Sequence, residues 1–385
     1  MKLSKDLKTI YLFAIICAFI SIVTKGILYI QYDSMTYISA SENYLNGNID
    51  LFRTPVYPVI LGGLRMLFGE QYYLWSTICL QYAISLVSGY FFYKLSNTLI
   101  KSKDICFWIT LFYMAYPSMT RWNNYILTES FAISGTVLFL YILVRLFREA
   151  SVTLMISYVL TLLFLLFLRP AFIYIIPVLF LVFLILFFRK RSNKVFGVGI
   201  FGLLVCTIAL FSYMKVYERQ YGIFASSNVS IINHYYIARQ NGLFYTDGVD
   251  DYDDNLKNYI LESYEKNGRT LDDHLTLWSE AMDVIEKFEL KEIDKLLSTS
   301  YRHNSIDALK SIGGRLYRSS QTFLFFAGFG FFDTVFDILG LSLGMDLLYL
   351  FLLLYVLVMM RWMLKRKQIP LISSTFLLLG ISSVH

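Results

Sequence analysis

Asp33, Tyr37, Arg53 and Tyr57 lie in one polar, Tyr-rich stretch that interrupts the apolar sequence at Gln31, and Arg121, Glu129 and Arg169 stand at the ends of later apolar runs. A carboxylate can act as a general base. A guanidinium holds phosphate through paired N–H donors and stabilises negative charge on a departing group. Ionisable groups at the mouth of an apolar bundle are costly and usually belong to a substrate site. The arginines carry a second argument. Topology retains Lys and Arg on the cytoplasmic side, so Arg53, Arg121 and Arg169, each in a short outer loop, need another reason to be there. Binding an anion is one; snorkelling to headgroups or pairing with Glu42, Asp50 or Glu129 is the other. Glu129 itself can bind substrate, orient an arginine, join Asp33 around a divalent ion, or serve as a helix-start acid favoured by the macrodipole. For Asp33 the alternative is likewise a helix N-terminal acid.

Local spacing says how the first group is carried. Asp33, Tyr37 and Ala40/Ser41 recur at i, i+4 and i+7/i+8, which predicts an outer helix from Ser34 to Leu45 with these residues on one face, ended by Gly47. Pro55 and Pro58 are expected to hold the chain extended before an apolar stretch, Val59–Phe68, that is too short to span and lies in the interface.

The chain has 385 residues, of which 57% are hydrophobic, 18% aromatic and 16% charged. A charged fraction that far below the usual quarter predicts an all-α, polytopic integral membrane protein rather than a soluble domain. Spans are expected at about 10–30, 72–99, 105–121, 125–147, 152–169, 171–188, 195–216, 345–363 and 369–385, each near the ~20 residues that cross the hydrocarbon. Basic residues at Lys2/Lys5/Lys8, Lys101/Lys103, Arg145/Arg148, Arg189–Lys194 and Arg361–Lys367 fall on one side if the N-terminus is cytoplasmic. Residues 31–71 and 218–320 then face outward, and 322–343, with Asp333 and Asp337, reads as re-entrant or interfacial. The net charge of +6 follows this topology pattern, so nucleic acid is not an expected partner. Cys17, Cys79, Cys106 and Cys206 sit in apolar runs and read as small buried hydrophobes rather than a disulfide framework.

Residues 1–217 are accordingly read as a transmembrane core, 218–320 as an extracytoplasmic insert, and 321–385 as the re-entrant segment and final helices. The apolar run ending at His385 points to an incomplete C-terminal part. In the insert, helical periodicity covers Leu256–Tyr264 and Leu275–Leu297, with an irregular part around Asn228–Gly248. The acidic run Asp250, Asp251, Asp253, Asp254 reads as a solvated loop, since its spacing matches no calcium loop. His234, His274 and His303 lack zinc-ligand spacing. Asn228-Val229-Ser230 fits a glycosylation sequon, which is set aside as a chance match in a chain expected to be bacterial.

Asp33 with Tyr37 four residues on, a small-residue helix, Arg53-Thr54-Pro55-Val56-Tyr57-Pro58 and an apolar stretch ending in Phe68-Gly69 together resemble the first outer loop of the GT-C membrane glycosyltransferases. The nearest likeness is to the branch holding protein O-mannosyltransferases and lipid A aminoarabinose transferases, family 39-like. Leu127-Thr128-Glu129 at the fourth span, Leu168-Arg169-Pro170 between two spans, and the large insert extend the resemblance over about the first 220 residues. Ser34 stands where the family often has a second acid, which departs from a paired-carboxylate site and a tightly held metal; the cofactor is left open, with a divalent cation as one candidate. The resemblance implies a GT-C-like helical bundle in the cytoplasmic (inner) membrane. Its implied reaction is transfer of a sugar from a polyprenyl-phosphate carrier to a lipid, glycan or protein acceptor on the outer face. In that reading Asp33 is the base, Arg53, Arg121 and Arg169 bind the donor phosphate, and Tyr37, Tyr57 and Glu129 bind substrate, the aromatic faces packing on a pyranose ring.

Three other classes compete. A polymerase or ligase of lipid-linked glycans also carries a large outer loop and arginines, but is not expected to place an Asp-x-x-x-Tyr helix straight after the first span. A transporter favours repeated halves and mid-membrane charges, whereas these charges lie at the rim. A non-catalytic scaffold leaves the loop motifs without a role.

Overall fold

Long apolar runs satisfy their backbone N–H and C=O groups most simply as helices, and the computed structural model bears this out over residues 4–115, 121–149, 151–188, 193–246 and 253–307, which it describes. Among the described residues the regular elements are all helical; the one β feature is an isolated parallel bridge between Tyr29 and Tyr125. The spans expected at 345–363 and 369–385 and the re-entrant segment 322–343 lie outside the described residues. The described chain divides into two compact units, with the division near Leu210.

The first unit begins with α1 (Lys5–Lys25), α2 (Tyr32–Leu45), α3 (Val56–Phe68), α4 (Tyr73–Leu99) and α5 (Lys103–Ala115). It continues with α6 (Glu129–Arg148), α7 (Val152–Leu168), a 3-10 turn (Pro170–Tyr174), α8 (Ile175–Phe188) and α9 (Asn193–Tyr221), whose last turns enter the second unit. The segments Glu129–Arg148, Pro170–Phe188 and Lys194–Tyr221 are long and apolar enough to cross a membrane; α3 and α7 are apolar but shorter.

Helix α6 is the centre. It carries an acid in its first turn and Arg145 and Arg148 in its last, both favourable to the helix dipole. Its sides are buried nearly all round, by α4 on one side and α7 on the other. Phe139 stacks on Tyr158 of α7, with ring centroids 5.9 Å apart. Tyr158 in turn meets Phe183 of α8 edge to face. Gly199 and Gly202 let α9 close on these rings: a methyl group at Gly202 would lie 2.5 Å from Cε1 of Tyr158, and one at Gly199 would collide with Phe183. A second apolar cluster, with Leu7, Ile10, Tyr93, Cys106 and Met114, joins α1, α4 and α5. All four cysteines are free thiols; Cys106 and Cys206 are buried, but Cys79 is exposed on α4, contrary to the reading of all four as buried.

Helices α2 and α3 pair with each other, and α3 leans on α4 and α7. Two local expectations change. Helix α2 starts at Tyr32, where Ser34 Oγ accepts the Gln31 N–H at 2.9 Å. Its buried face is Ser34, Tyr37, Ala40 and Ser41, so Asp33 stands at the border of that face with its side chain 57% exposed. The prolines do not hold an extended segment. Pro55 is the α3 N-cap in helical geometry and Pro58 sits in the first turn, where a missing N–H costs nothing.

The second unit contains α10 (Val229–Gln240), α11 (Asp254–Asn267), α12 (His274–Lys287) and α13 (Leu290–His303). The region around 228–248, expected to be irregular, thus opens with a helix, and the single periodic run 275–297 is two helices broken at Phe288. Asp253 caps α11 by accepting the Asn255 N–H. Asn228 of the sequon is fully buried and closed to modification in the folded chain. Leu256, Ile260, Leu277, Val284, Ile293 and Leu296 form an apolar interior around one enclosed ion pair. Arg239, wholly buried, donates to Glu280 at 2.8 Å, to the carbonyls of Gly268 and Arg269, and to Ser263 Oγ, while Tyr235 and Ser263 also donate to Glu280. Every charge in the interior has its partners, which burial requires.

Two phenols of this unit make its stability depend on pH. Burial, with Asp283 and Glu280 nearby, pushes Tyr259 up to about 12 from 10.0. Burial also pushes Tyr264 up to about 12, outweighing the opposing Arg239 and Arg269. The folded phenols keep protons that an unfolded chain surrenders near pH 10, so stability is full below that pH and falls as pH rises towards about 12. Thermal melts followed by circular dichroism should show this alkaline loss, and the Tyr259→Phe/Tyr264→Phe double variant should show a shallower one.

Candidate active site

The loop between α2 and α3 is built around Asp50. Asn46 and Gly47 end α2, Gly47 taking the positive φ of 79° that favours glycine. The chain then folds back so that Asp50, 5% exposed, accepts the N–H groups of Phe52 at 2.8 Å and Arg53 at 2.7 Å on Oδ1, and the Asn43 carboxamide at 2.8 Å on Oδ2. Tyr44 donates its hydroxyl to the Arg53 carbonyl at 2.8 Å. Both backbone polar groups of Arg53 are therefore held.

Its side chain lies over the Tyr37 ring, the guanidinium carbon 4.1 Å from the ring centroid. Nη2 meets Asp33 Oδ1 at 2.8 Å, Nε donates to Thr36 Oγ1 at 2.7 Å, and Nη1 donates to the Tyr37 hydroxyl at 3.2 Å. Three of the five guanidinium N–H groups are thereby used, and the other two remain available among the described residues. Asp33, its side chain 57% exposed, has no partner for Oδ2 among the described residues.

Tyr57, fully buried in α3, sets its ring edge-on to Tyr37 at 5.2 Å and against Phe131 of α6 at 5.6 Å. Burial, then Tyr37 and Glu129, raise its phenol well above the usual 10.0, so the hydroxyl stays a donor. It donates to Gln81 Oε1 of α4 at 3.0 Å. Gln81, also fully buried, spends its amide protons on the carbonyls of Asn123 at 2.8 Å and Tyr125 at 2.9 Å. Residues 123–126 are further fixed by Tyr29, which pairs with Asn124 and Ile126 and stacks on Tyr125, and by the Tyr82 hydroxyl on Asn124. Arg121 donates Nε and Nη2 to the Tyr125 hydroxyl at 3.0 and 2.8 Å and is otherwise exposed.

Arg169 occupies the corner between α7 and the 3-10 turn because Pro170 disfavours helix at the preceding residue; its backbone is extended, with φ −149° and ψ 136°. The corner leaves the Leu168 carbonyl without a helical partner, and Thr54, next to Arg53, donates to it at 3.0 Å. Arg169 Nη1 meets Glu129 Oε1 at 2.8 Å, both side chains largely buried. Glu129 Oε2 and Thr128 Oγ1 are buried with no hydrogen-bond partner among the described residues.

The structure therefore assembles Asp33, Arg53, Tyr37 and Tyr57 into one cluster. It sets Glu129 with Arg169 beside them through Thr54 and Phe131, and reaches Arg121 through Gln81 and Tyr125. Arg53 pairs with Asp33 rather than Glu42 or Asp50; Glu42 goes instead to Arg65. Nothing in the sequence assigns a role to Thr36 or Gln81; Asp50 is expected there only as an ion-pair partner of an arginine, and Thr54 enters only as part of the Arg53–Pro58 motif. Two signals were present: Gln81 is a carboxamide within an apolar helix, and Asp50 stands two residues before Phe52, whose N–H closes an Asx turn on it.

The donor set does not fit a divalent ion. Asp33 and Glu129 each already hold a guanidinium, and among the described residues no three His, Cys, Asp or Glu side chains gather as a metal site. Arginine beside both carboxylates opposes a cation that needs several oxygen ligands. No protein-family model matches the chain, and no curated protein matches it.

The two ends of the Arg53 arrangement should respond differently to truncation. Asp50→Ala leaves two backbone N–H groups and the Asn43 carboxamide unpaired in a buried loop, at an expected cost of about 2 kcal/mol or more. Asp33→Ala removes an exposed pairing and should cost less than about 1 kcal/mol. Thermal unfolding of the purified full chain measures both.

Proposed function

We propose that the chain is a polytopic membrane glycosyltransferase of the GT-C kind. It would transfer a sugar from a polyprenyl-phosphate carrier to a lipid, glycan or protein acceptor on the outer face of the cytoplasmic membrane. The observation that carries the reading is the pairing of Arg53 with Asp33 and Arg169 with Glu129 at one connected site, each guanidinium keeping N–H groups for an anion. Three helices apolar and long enough to cross a membrane, and basic residues gathered on one side of the chain's expected topology, support the membrane setting.

The chemistry follows from the groups present. Asp33 Oδ2 accepts the proton of the acceptor hydroxyl as its oxygen bonds to the anomeric carbon. The bond from that carbon to the phosphate oxygen breaks, and polyprenyl phosphate leaves with the electron pair. Negative charge on the departing phosphate rests on the free N–H groups of Arg53, Arg169 and Arg121. Fixed donors serve this better than mobile ones, because they need no reorganisation as charge develops. Arg53, held at backbone and side chain, is the best fixed of the three. Tyr37 lies against it as an aromatic face; Tyr57, expected to bind substrate, is fully buried behind Tyr37 and only supports it, while Glu129 Oε2, without a partner among the described residues, can accept a substrate hydroxyl. A direct displacement of this kind inverts the anomeric centre.

The test is transfer by the purified full chain, reconstituted with a panel of polyprenyl-phosphate sugars and membrane lipid acceptors. Release of polyprenyl phosphate is expected from the wild type. Asp33→Asn should lower it about 100-fold or more, the usual worth of a general base. Arg53→Lys should lower it substantially too, since an ammonium cannot reproduce the planar fork. No release from the wild type with any donor would refute the reading. Full activity in Asp33→Asn would leave transfer standing and remove Asp33 from the base role.

A further inference from the structure

Gln81 is a wholly buried carboxamide on α4, away from the exposed ends of the arginines, and all its hydrogen-bonding atoms are committed in two directions. Oε1 takes the Tyr57 hydroxyl, and the Tyr57 ring backs Tyr37, over which the Arg53 guanidinium lies. Nε2 holds the carbonyls of Asn123 and Tyr125, and the Tyr125 hydroxyl holds Arg121. From one side chain, two rigid paths run to two guanidinium groups that come from loops far apart in sequence.

We infer that Gln81 is a positioning residue that sets where the guanidinium groups of Arg53 and Arg121 stand relative to each other, and so the anion they hold jointly. Its consequence for sugar transfer rests on the function proposed above; the placement of the arginines does not. A carboxamide is suited to the task because it offers an acceptor and two donors from one planar group. An aliphatic side chain fills the space with neither, and a carboxylate would turn an acceptor towards two carbonyls. The two paths differ in kind. Tyr57 serves only Arg53, so removing its hydroxyl should disturb one arginine, whereas removing the carboxamide should disturb both. General helix packing through a polar residue would not divide in this way.

The experiment is arginine modification by phenylglyoxal on the full chain, with the rate at each residue read by peptide mass spectrometry and exposed Arg302 as the internal reference. Gln81→Leu should raise the rates at both Arg53 and Arg121 about fivefold, the population shift that one lost hydrogen bond permits. Tyr57→Phe, which keeps the ring and removes one hydroxyl, should raise Arg53 alone. Gln81→Leu rates within about twofold of wild type at both residues, where a lost bond predicts fivefold, would overturn the inference. So would Tyr57→Phe raising Arg121 as much as Arg53. If Gln81→Leu does not fold, Tyr57→Phe decides: a rise at Arg53 alone upholds the Gln81 path, and no rise removes it. In parallel, binding of polyprenyl phosphate is compared with neutral polyprenol. Wild type is expected to prefer the phosphate, and Gln81→Leu to lose most of that preference. A wild type without preference would sink the functional reading, while the modification rates would still judge Gln81.

Discussion

A polar side chain enclosed by apolar helices has no water to turn to, so its donors and acceptors must be matched inside the protein or the fold loses the full cost of desolvating them. The candidate site depends on this constraint. Gln81 on α4, Tyr57 on α3 and the loop before α6 come from three parts of the chain, and each supplies what the others lack. Because each bond is directional, the match fixes the loop's height against the helices. Apolar packing alone would hold the helices together and leave that height free.

The same rule explains why the arginines differ. Arg53 is held at its N–H, its carbonyl and three side-chain donors, and its position is decided before any ligand arrives. Arg169 is placed by a proline corner and one carboxylate; Arg121 by one phenol. This grading suits a site in which one cation is prearranged and two can adjust. Both carboxylates lie against guanidinium groups, so the cluster keeps a near balance of charge while leaving N–H donors uncommitted. In the second unit, Arg239 shows the other use of the residue: all its directions are closed by Glu280, Ser263 and two carbonyls, and it serves the fold.

Local geometry corrected several inferences for identifiable reasons. Reading Pro55 and Pro58 as an extended segment treated proline only as a helix breaker, whereas in a first turn the absent N–H is no loss. Placing Asp33 on the same face as Tyr37 followed the i, i+4 rule. In the fold Ser34 takes the buried position one residue on, which turns Asp33 outward to meet Arg53. The break at Phe288 in the second unit was hidden because apolar periodicity continued through it with only a shift of phase.

Most helices of the first unit, their approximate ends and the residue types at the site were legible in the sequence, because hydrophobic run length, proline and glycine act over a few residues; α10 and the division of α12 from α13 were not. The pairing of Arg53 with Asp33 and of Arg169 with Glu129 was not, since either arginine had several carboxylates within reach along the chain. Nor was the role of Asp50, Thr54 or Gln81, whose partners lie in backbone groups that no side-chain pattern marks. Thr54 meets Leu168 across 114 residues, and Gln81 meets Tyr125 across 44. The sequence by itself determined which groups were present and most of the helical segments; the tertiary structure alone decided which groups met, because hydrogen bonds over such separations are fixed by helix packing and by the need to pair every buried donor.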